Sequence, residues 1–198
     1  MKTKNLFVQK VIKILLVFVG LFIFTLLNTE VVHADVFDPA TCSYDEVTME
    51  RTCDLYATTG TINLPGVVDP IPIWGYTFDP VGSATLPGPA IIANEGETLV
   101  INLHNGLSET TGLYLQGQNI QPDLEGVAPS GTKTYTLSTL SAGTYLYEAA
   151  LLPNSQHQVA LGMFGPLVIR PAGQPQQAYD ANSGFADEAL VVLSEIDP

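Results

Sequence analysis

Alternation of apolar and polar positions is the dominant pattern beyond about residue 50. Leu99, Ile101 and Leu103 occupy every second position of one run, and they alternate with Thr98, Val100, Asn102 and His104. A period of two predicts a strand that buries one face. Similar short runs, rich in β-branched and aromatic residues and separated by Gly, Pro and Asn turns, predict further strands. The predicted strands are residues 55–62, 72–78, 90–92, 98–104, 112–116, 132–137, 143–148 and 164–169.

A sustained helical period is missing from the sequence, and only residues 158–163 have a pattern compatible with one short helical turn. Many short strands at regular spacing, with dense turns, are typical of a Greek-key β-sandwich or barrel. The sequence therefore predicts an all-β fold.

The C-terminal residues form a separate region of the pattern. Residues 171–184 are rich in Pro, Gln, Gly and Ala, which predicts a linker. An apolar run follows at 189–193 and predicts one more strand. Residues 185–198 are expected to be the first strand of a missing second domain, and an edge or swapped strand of the same domain is an equal alternative.

The N-terminal 34 residues have the organisation of a secretory signal peptide. Four lysines precede an apolar run at residues 14–27, and Ala34 stands at the expected cleavage point before Asp35. The alternative, an uncleaved membrane anchor, would need about 20 apolar residues, and this run is shorter. We expect a secreted, extracytoplasmic chain with no membrane association after cleavage.

Charge restricts the partners of the chain. It has seven basic and twenty acidic residues and a net charge of −13, and four of the basic residues lie in the predicted signal peptide. An acidic surface repels nucleic acid and anionic lipid, so neither is an expected partner. After cleavage the remaining length suits one main domain, residues 35–170.

The chain contains two cysteines, Cys42 and Cys53. An exported pair this close in sequence predicts a disulfide bond. Its spacing matches neither a thioredoxin-type motif nor a structural zinc motif, which argues against a redox or metal pair.

Three blocks together carry a family resemblance. Residues 88–107 combine a Gly-Pro start, a Glu-Gly turn, an alternating strand and an Asn-Gly loop; residues 142–147 read AGTYLY; residues 158–169 read QVALGMFGPLVI. In this order they resemble the N-terminal plastocyanin-like (cupredoxin) domain of multicopper oxidases. The likeness extends over roughly residues 55–198 and implies a sandwich of cupredoxin type.

The same resemblance identifies four positions at which the family binds copper. There, the N-terminal domain supplies two His-x-His motifs to a trinuclear copper cluster. In this chain the corresponding positions hold Tyr114 and Gln116, then Glu148 and Ala150. The family's mononuclear copper also needs a cysteine, and none follows Cys53. The resemblance therefore implies no catalytic, cofactor-binding or metal-binding residue in this chain, although the family binds copper.

Three functions remain compatible with these observations. The first is a non-catalytic cupredoxin-like module that packs against further cupredoxin domains or associates with itself. The second is a fragment or subunit of a copper-binding oxidoreductase whose copper sites lie in further domains. The third is an extracellular domain that binds glycans or proteins. The sequence does not decide among them, because function depends on sites rather than on the fold.

A few single residues carry weaker expectations. His104 lies on the polar face of its predicted strand and is expected to be solvated. His157, with Glu148 and Met163, could form a weak metal site near the former copper positions. Trp74 is expected to belong to the core or to the edge of the sandwich.

Overall fold

The computed structural model describes residues 42–149 and 151–195. The predicted signal peptide, residues 1–34, lies outside the described residues. Within the described part of the chain, no helix has the length and hydropathy needed to cross a membrane.

The described residues form nine strands and one short helix. The strands are β1 (Ser43–Asp45), β2 (Glu50–Ile62), β3 (Ile71–Thr77), β4 (Ile91–Asn94), β5 (Thr98–Asn105), β6 (Leu113–Leu115), β7 (Thr132–Leu137), β8 (Gly143–Ala149) and β9 (Phe164–Arg170), and the helix is α1 (Ser155–Ala160). This composition confirms the predicted all-β fold.

The strands form two sheets. The first has the order β1-β2-β5-β7, with β3 also paired to β2, and the second has the order β4-β9-β8-β6. The β2–β5 and β4–β9 pairs are parallel although the strands are far apart in sequence. Such crossovers between sheets are a feature of Greek-key sandwiches.

The core lies between the two sheets. In β5 the odd-numbered residues from Leu99 to Leu103 are fully buried and the alternate residues are half-buried, as the period of two predicted. The rings of Tyr76 and Tyr147, one from each sheet, lie 5.4 Å apart and are also buried. Trp74 is partly buried and packs against the core cluster, in agreement with a place at the core or the sandwich edge.

The eight strands predicted between residues 55 and 169 are all present, and they differ from the prediction only at their boundaries. Strand β1 was not predicted, because its three residues are all exposed and show no alternation. The predicted helical turn at 158–163 is wrong in position, since α1 spans Ser155–Ala160. Gly162 adopts φ +116°, a conformation outside the helical region, so the helix ends before it.

The C-terminal segment, residues 185–195, runs beside the second sheet without strand structure, so the run at 189–193 is not a strand here. Glu188 forms an ion pair with the buried Arg170, whose guanidinium lies 5.0 Å from the centre of the Phe185 ring. Beyond this anchor, Val191 is 74% exposed and Leu193 is 91% exposed. That the segment begins a further domain stays a prediction.

Truncation tests how much this segment contributes. A chain that ends at Glu188 keeps the ion pair with Arg170, whereas a chain that ends at Gly184 loses it. Residues 189–195 form no strand, and two of their apolar side chains are largely exposed. We therefore expect the chain that ends at Glu188 to melt within about 4 °C of the full chain. A loss above about 10 °C in a thermal melt would show instead that this segment completes the sandwich.

Candidate functional site

The outer face of the β6–β8 pair brings together three of the four positions that the family resemblance identified. The two strands are antiparallel, and Tyr114 stands opposite Glu148 in their register. Gln116 follows β6, and its Nε2 donates a hydrogen bond of 3.0 Å to Oε1 of Glu148. Ala150, the fourth position, lies outside the described residues.

Strand alternation explains why these side chains share one face. Leu113 and Leu115 on β6 point into the core and are buried, so Tyr114 between them points outward. On β8, Tyr147 and Ala149 are likewise buried on either side of an outward Glu148. The register then places the outward residues side by side.

The arrangement provides one carboxylate and one amide, joined to each other. One oxygen of Glu148 accepts a hydrogen bond from the Gln116 amide. The other oxygen of Glu148 has no hydrogen-bond partner among the described residues. Within residues 42–149 and 151–195, no three His, Cys, Asp or Glu side chains lie close enough to hold a metal ion. The site can therefore accept a hydrogen bond or pair with a cation.

The weaker metal site suggested for His157, Glu148 and Met163 has little support in the geometry. The His157 ring packs edge-on against Trp74 at a centroid distance of 5.9 Å. Met163 is fully buried in the core. These two side chains are therefore engaged in packing.

His104 lies in a polar network on the outer face of the first sheet that the sequence did not predict. Its Nε2 lies 3.0 Å from Asp54 Oδ1, and its Nδ1 lies 3.0 Å from Thr132 Oγ1. The imidazole also stacks on Tyr56 at 4.4 Å. The hydrogen bond from His104 lowers the pKa of Asp54 below its ordinary value. The parallel register of β2 and β5 and the antiparallel register of β5 and β7 place these residues together, and no local sequence motif predicts the contact.

This network gives a testable pH effect. The depressed pKa of Asp54 contributes stability that is present above its unfolded-state value and is lost as the pH falls through its folded-state value. Replacing His104 with Phe keeps a ring against Tyr56 and removes the hydrogen bond. We expect the H104F chain to lose about 0.5–1 kcal/mol at neutral pH, and to lose less below pH 4, in urea titrations. An unchanged midpoint at both pH values would contradict this role.

A buried polar centre surrounds Asp123, in the loop between β6 and β7. Its Oδ1 accepts hydrogen bonds from Lys133 Nζ at 2.8 Å and from the backbone N–H groups of Glu125 and Gly126. Its Oδ2 accepts the Tyr135 hydroxyl at 2.5 Å. Burial alone would raise the pKa of Asp123, but these donors outweigh it and lower the pKa to about 2. The centre fixes the loop to β7, because Lys133 and Tyr135 both lie on that strand.

Comparison with known proteins gives matches to multicopper oxidases over part of the chain. Residues 82–174 match the family model described as multicopper oxidase. Copper resistance protein A of Pseudomonas syringae pv. tomato is 30% identical over 118 residues, which are 56% of this chain and 18% of that protein. Laccase abr2 of Aspergillus fumigatus is 34% identical over 95 residues, or 43% of this chain and 16% of that protein. The chain thus spans less than a fifth of these relatives.

Solved structures agree with the fold. A multicopper oxidase from Pediococcus acidilactici superposes with a TM-score of 0.55 at 28% identity, over 66% of this chain and 27% of that one. A blue copper oxidase from Nitrosomonas europaea gives a TM-score of 0.53 at 22% identity, over 63% and 40%. The second likeness bears on the fold alone. Together with the sandwich and the three sequence blocks, these matches support a cupredoxin-like domain of multicopper oxidase type over part of the chain.

Proposed function

We propose that this domain is a non-catalytic cupredoxin-like module in which the histidines of the family's copper cluster are replaced. The observation that carries the proposal is the hydrogen bond between Gln116 and Glu148, two positions at which the resemblance expects copper ligands. Copper sites in proteins favour imidazole and thiolate ligands held in fixed geometry. The hydrogen-bonded amide and carboxylate of Gln116 and Glu148, beside Tyr114, do not provide such ligands.

The module's role is then to pack against other domains or copies. Its relatives are several times longer than the matched region, so domains of this kind lie within larger proteins. We further propose an extracytoplasmic location. The disulfide between Cys42 and Cys53 supports it, because such bonds persist in oxidising compartments.

A second candidate is a part of a copper-binding oxidoreductase whose copper sites lie in further domains. The relatives named as copper resistance protein A and as laccase favour it, since most of their length is unmatched by this chain. In this version the present domain would be a scaffold, and the copper chemistry would belong to the rest of the protein.

Copper content tests the first proposal. The purified chain, incubated with excess Cu²⁺ and dialysed against a mild chelator, should retain well under one copper per molecule and show no blue absorption. The physical reason is the lack of imidazole ligands at the four positions. Stoichiometric copper in elemental analysis would contradict it.

Restoring the histidines makes the test two-sided. The variant Y114H/Q116H/E148H/A150H should gain tight copper binding relative to the original chain, if these positions correspond to the ancestral ligands. A matched control places four histidines at exposed positions that are far apart in sequence, N63H, S83H, S108H and S138H. Equal copper uptake by the two variants would show that the predicted positions have no special geometry.

A further inference from the structure

A cleft of about 510 Å³ lies between β8, α1 and the C-terminal segment, next to Glu148. Most of its wall is apolar, and the main contributors are Leu146, Leu151, Val159, Phe164, Val192 and Leu193. This volume falls within the range of small-molecule sites, which are lined by apolar side chains with a few polar groups. The cleft therefore has the size and the lining to hold a small apolar molecule.

Two carboxylates, Glu148 and Glu195, supply charge to this cleft. Neither lysine nor arginine lines it. The three basic residues of the described chain, Arg51, Lys133 and Arg170, each form an ion pair with another carboxylate. Because no cation neutralises the cleft, its potential favours a positively charged group.

The Gln116 amide holds the Glu148 carboxylate by one oxygen and leaves the other oxygen without a partner among the described residues. A carboxylate fixed in this way at the edge of an apolar wall is a suitable partner for a protonated amine, because charge-assisted hydrogen bonds are about twice as strong as neutral ones. The apolar part of the same ligand would lie against Leu146 and Phe164.

We propose that this cleft binds a small apolar ligand that carries a protonated amine, with Glu148 as the partner of the ammonium group. The proposal does not depend on the copper content of the domain, because a titration in EDTA measures amine binding without metal. A further domain, or a second copy, would cover the same apolar wall without needing an ammonium group, so the two occupants give different results.

The experiment uses the full chain in EDTA and three probes of one shape: 1-naphthylmethylammonium, the neutral 1-naphthylmethanol and the anionic 1-naphthoate. Calorimetric titration should give about tenfold tighter binding for the ammonium than for the alcohol, and weakest binding for the anion. Methyl NMR signals of Val192 and Leu193 should shift with the ammonium probe. Equal affinities for ammonium and alcohol, or unmoved methyl signals, would overturn the proposal.

Variants separate the charge from the shape of the cleft. E148Q should lose about tenfold in affinity for the ammonium probe and leave the alcohol unchanged. The matched control E46Q changes an exposed carboxylate in the turn after β1 and should alter neither. A160F, which adds bulk at the end of α1 that lines the cleft, should weaken both probes. Dimeric elution with no response to any probe would overturn the proposal in favour of a second copy.

Discussion

Replacing Asp123 with asparagine is expected to destabilise the domain by about 3 kcal/mol, because a buried carboxylate loses its charge and its ion pair with the partly exposed Lys133 without a change in side-chain volume. The carboxylate accepts bonds from Lys133, Tyr135 and two backbone N–H groups. An asparagine amide turns an NH₂ group toward some of these donors. The melting temperature should fall by roughly 6–12 °C, at about 2–4 °C per kcal/mol for a domain of this size.

The matched control for this substitution is E125Q in the same loop. Glu125 is exposed, and only its backbone N–H takes part in the network. The control removes one negative charge and should change the melting temperature by less than about 2 °C. Equal losses in D123N and E125Q would mean that general charge in the loop, rather than the buried contacts of Asp123, sets the stability.

The same substitution predicts a change in pH dependence. The folded-state pKa of Asp123 is lowered from its ordinary value of 3.8 to about 2. A carboxyl with a depressed pKa contributes stability above its unfolded-state pKa, and that contribution is lost as the pH falls through the folded-state value. The original chain should therefore lose stability between about pH 4 and pH 2 by this route, and D123N should show a flatter profile in that window.

Much of the fold could be predicted from the sequence, because most strands show their own alternation of apolar and polar residues. The alternation of Leu99, Ile101 and Leu103 is sufficient to identify β5 and its buried face. Strand β1 is different: it forms through pairing with β2 and through the adjacent disulfide, so its own three residues carry no signal. The helix boundary was missed because Gly162 ends the helix through its positive φ. A hydrophobic pattern carries no information on backbone conformation.

The candidate site was likewise only partly predictable from the sequence. The positions of Tyr114, Gln116 and Glu148 were found through the family resemblance, whereas their mutual contact depends on the β6–β8 register. The Asp54–His104–Thr132 network spans three strands that are separated in sequence. The cleft beside Glu148 also depends on the path of residues 192–195, which a linker followed by an apolar run does not specify. Local pattern thus predicts elements, and tertiary register decides which polar groups meet.

The disulfide between Cys42 and Cys53 confirms the predicted pairing. Cys53 is fully buried on β2, and Cys42 precedes the exposed strand β1. The bond closes a loop with a sequence separation of 11. In the chain-entropy description such a loop stabilises the folded state by about 2–3 kcal/mol, because it restricts the unfolded chain.

Removing both sulfurs should therefore destabilise the domain by about 2–3 kcal/mol in the C42A/C53A chain, with some added cost from the space left beside buried Cys53. Urea unfolding of the original chain, with and without a reductant, gives the matched comparison, since the reduced original chain keeps both side chains. The reduced chain should approach the double variant, and mass spectrometry of a non-reduced digest should show the two cysteine peptides linked. Identical urea midpoints for oxidised and reduced chains would mean that pairing with β2, rather than the covalent bond, holds β1 in place.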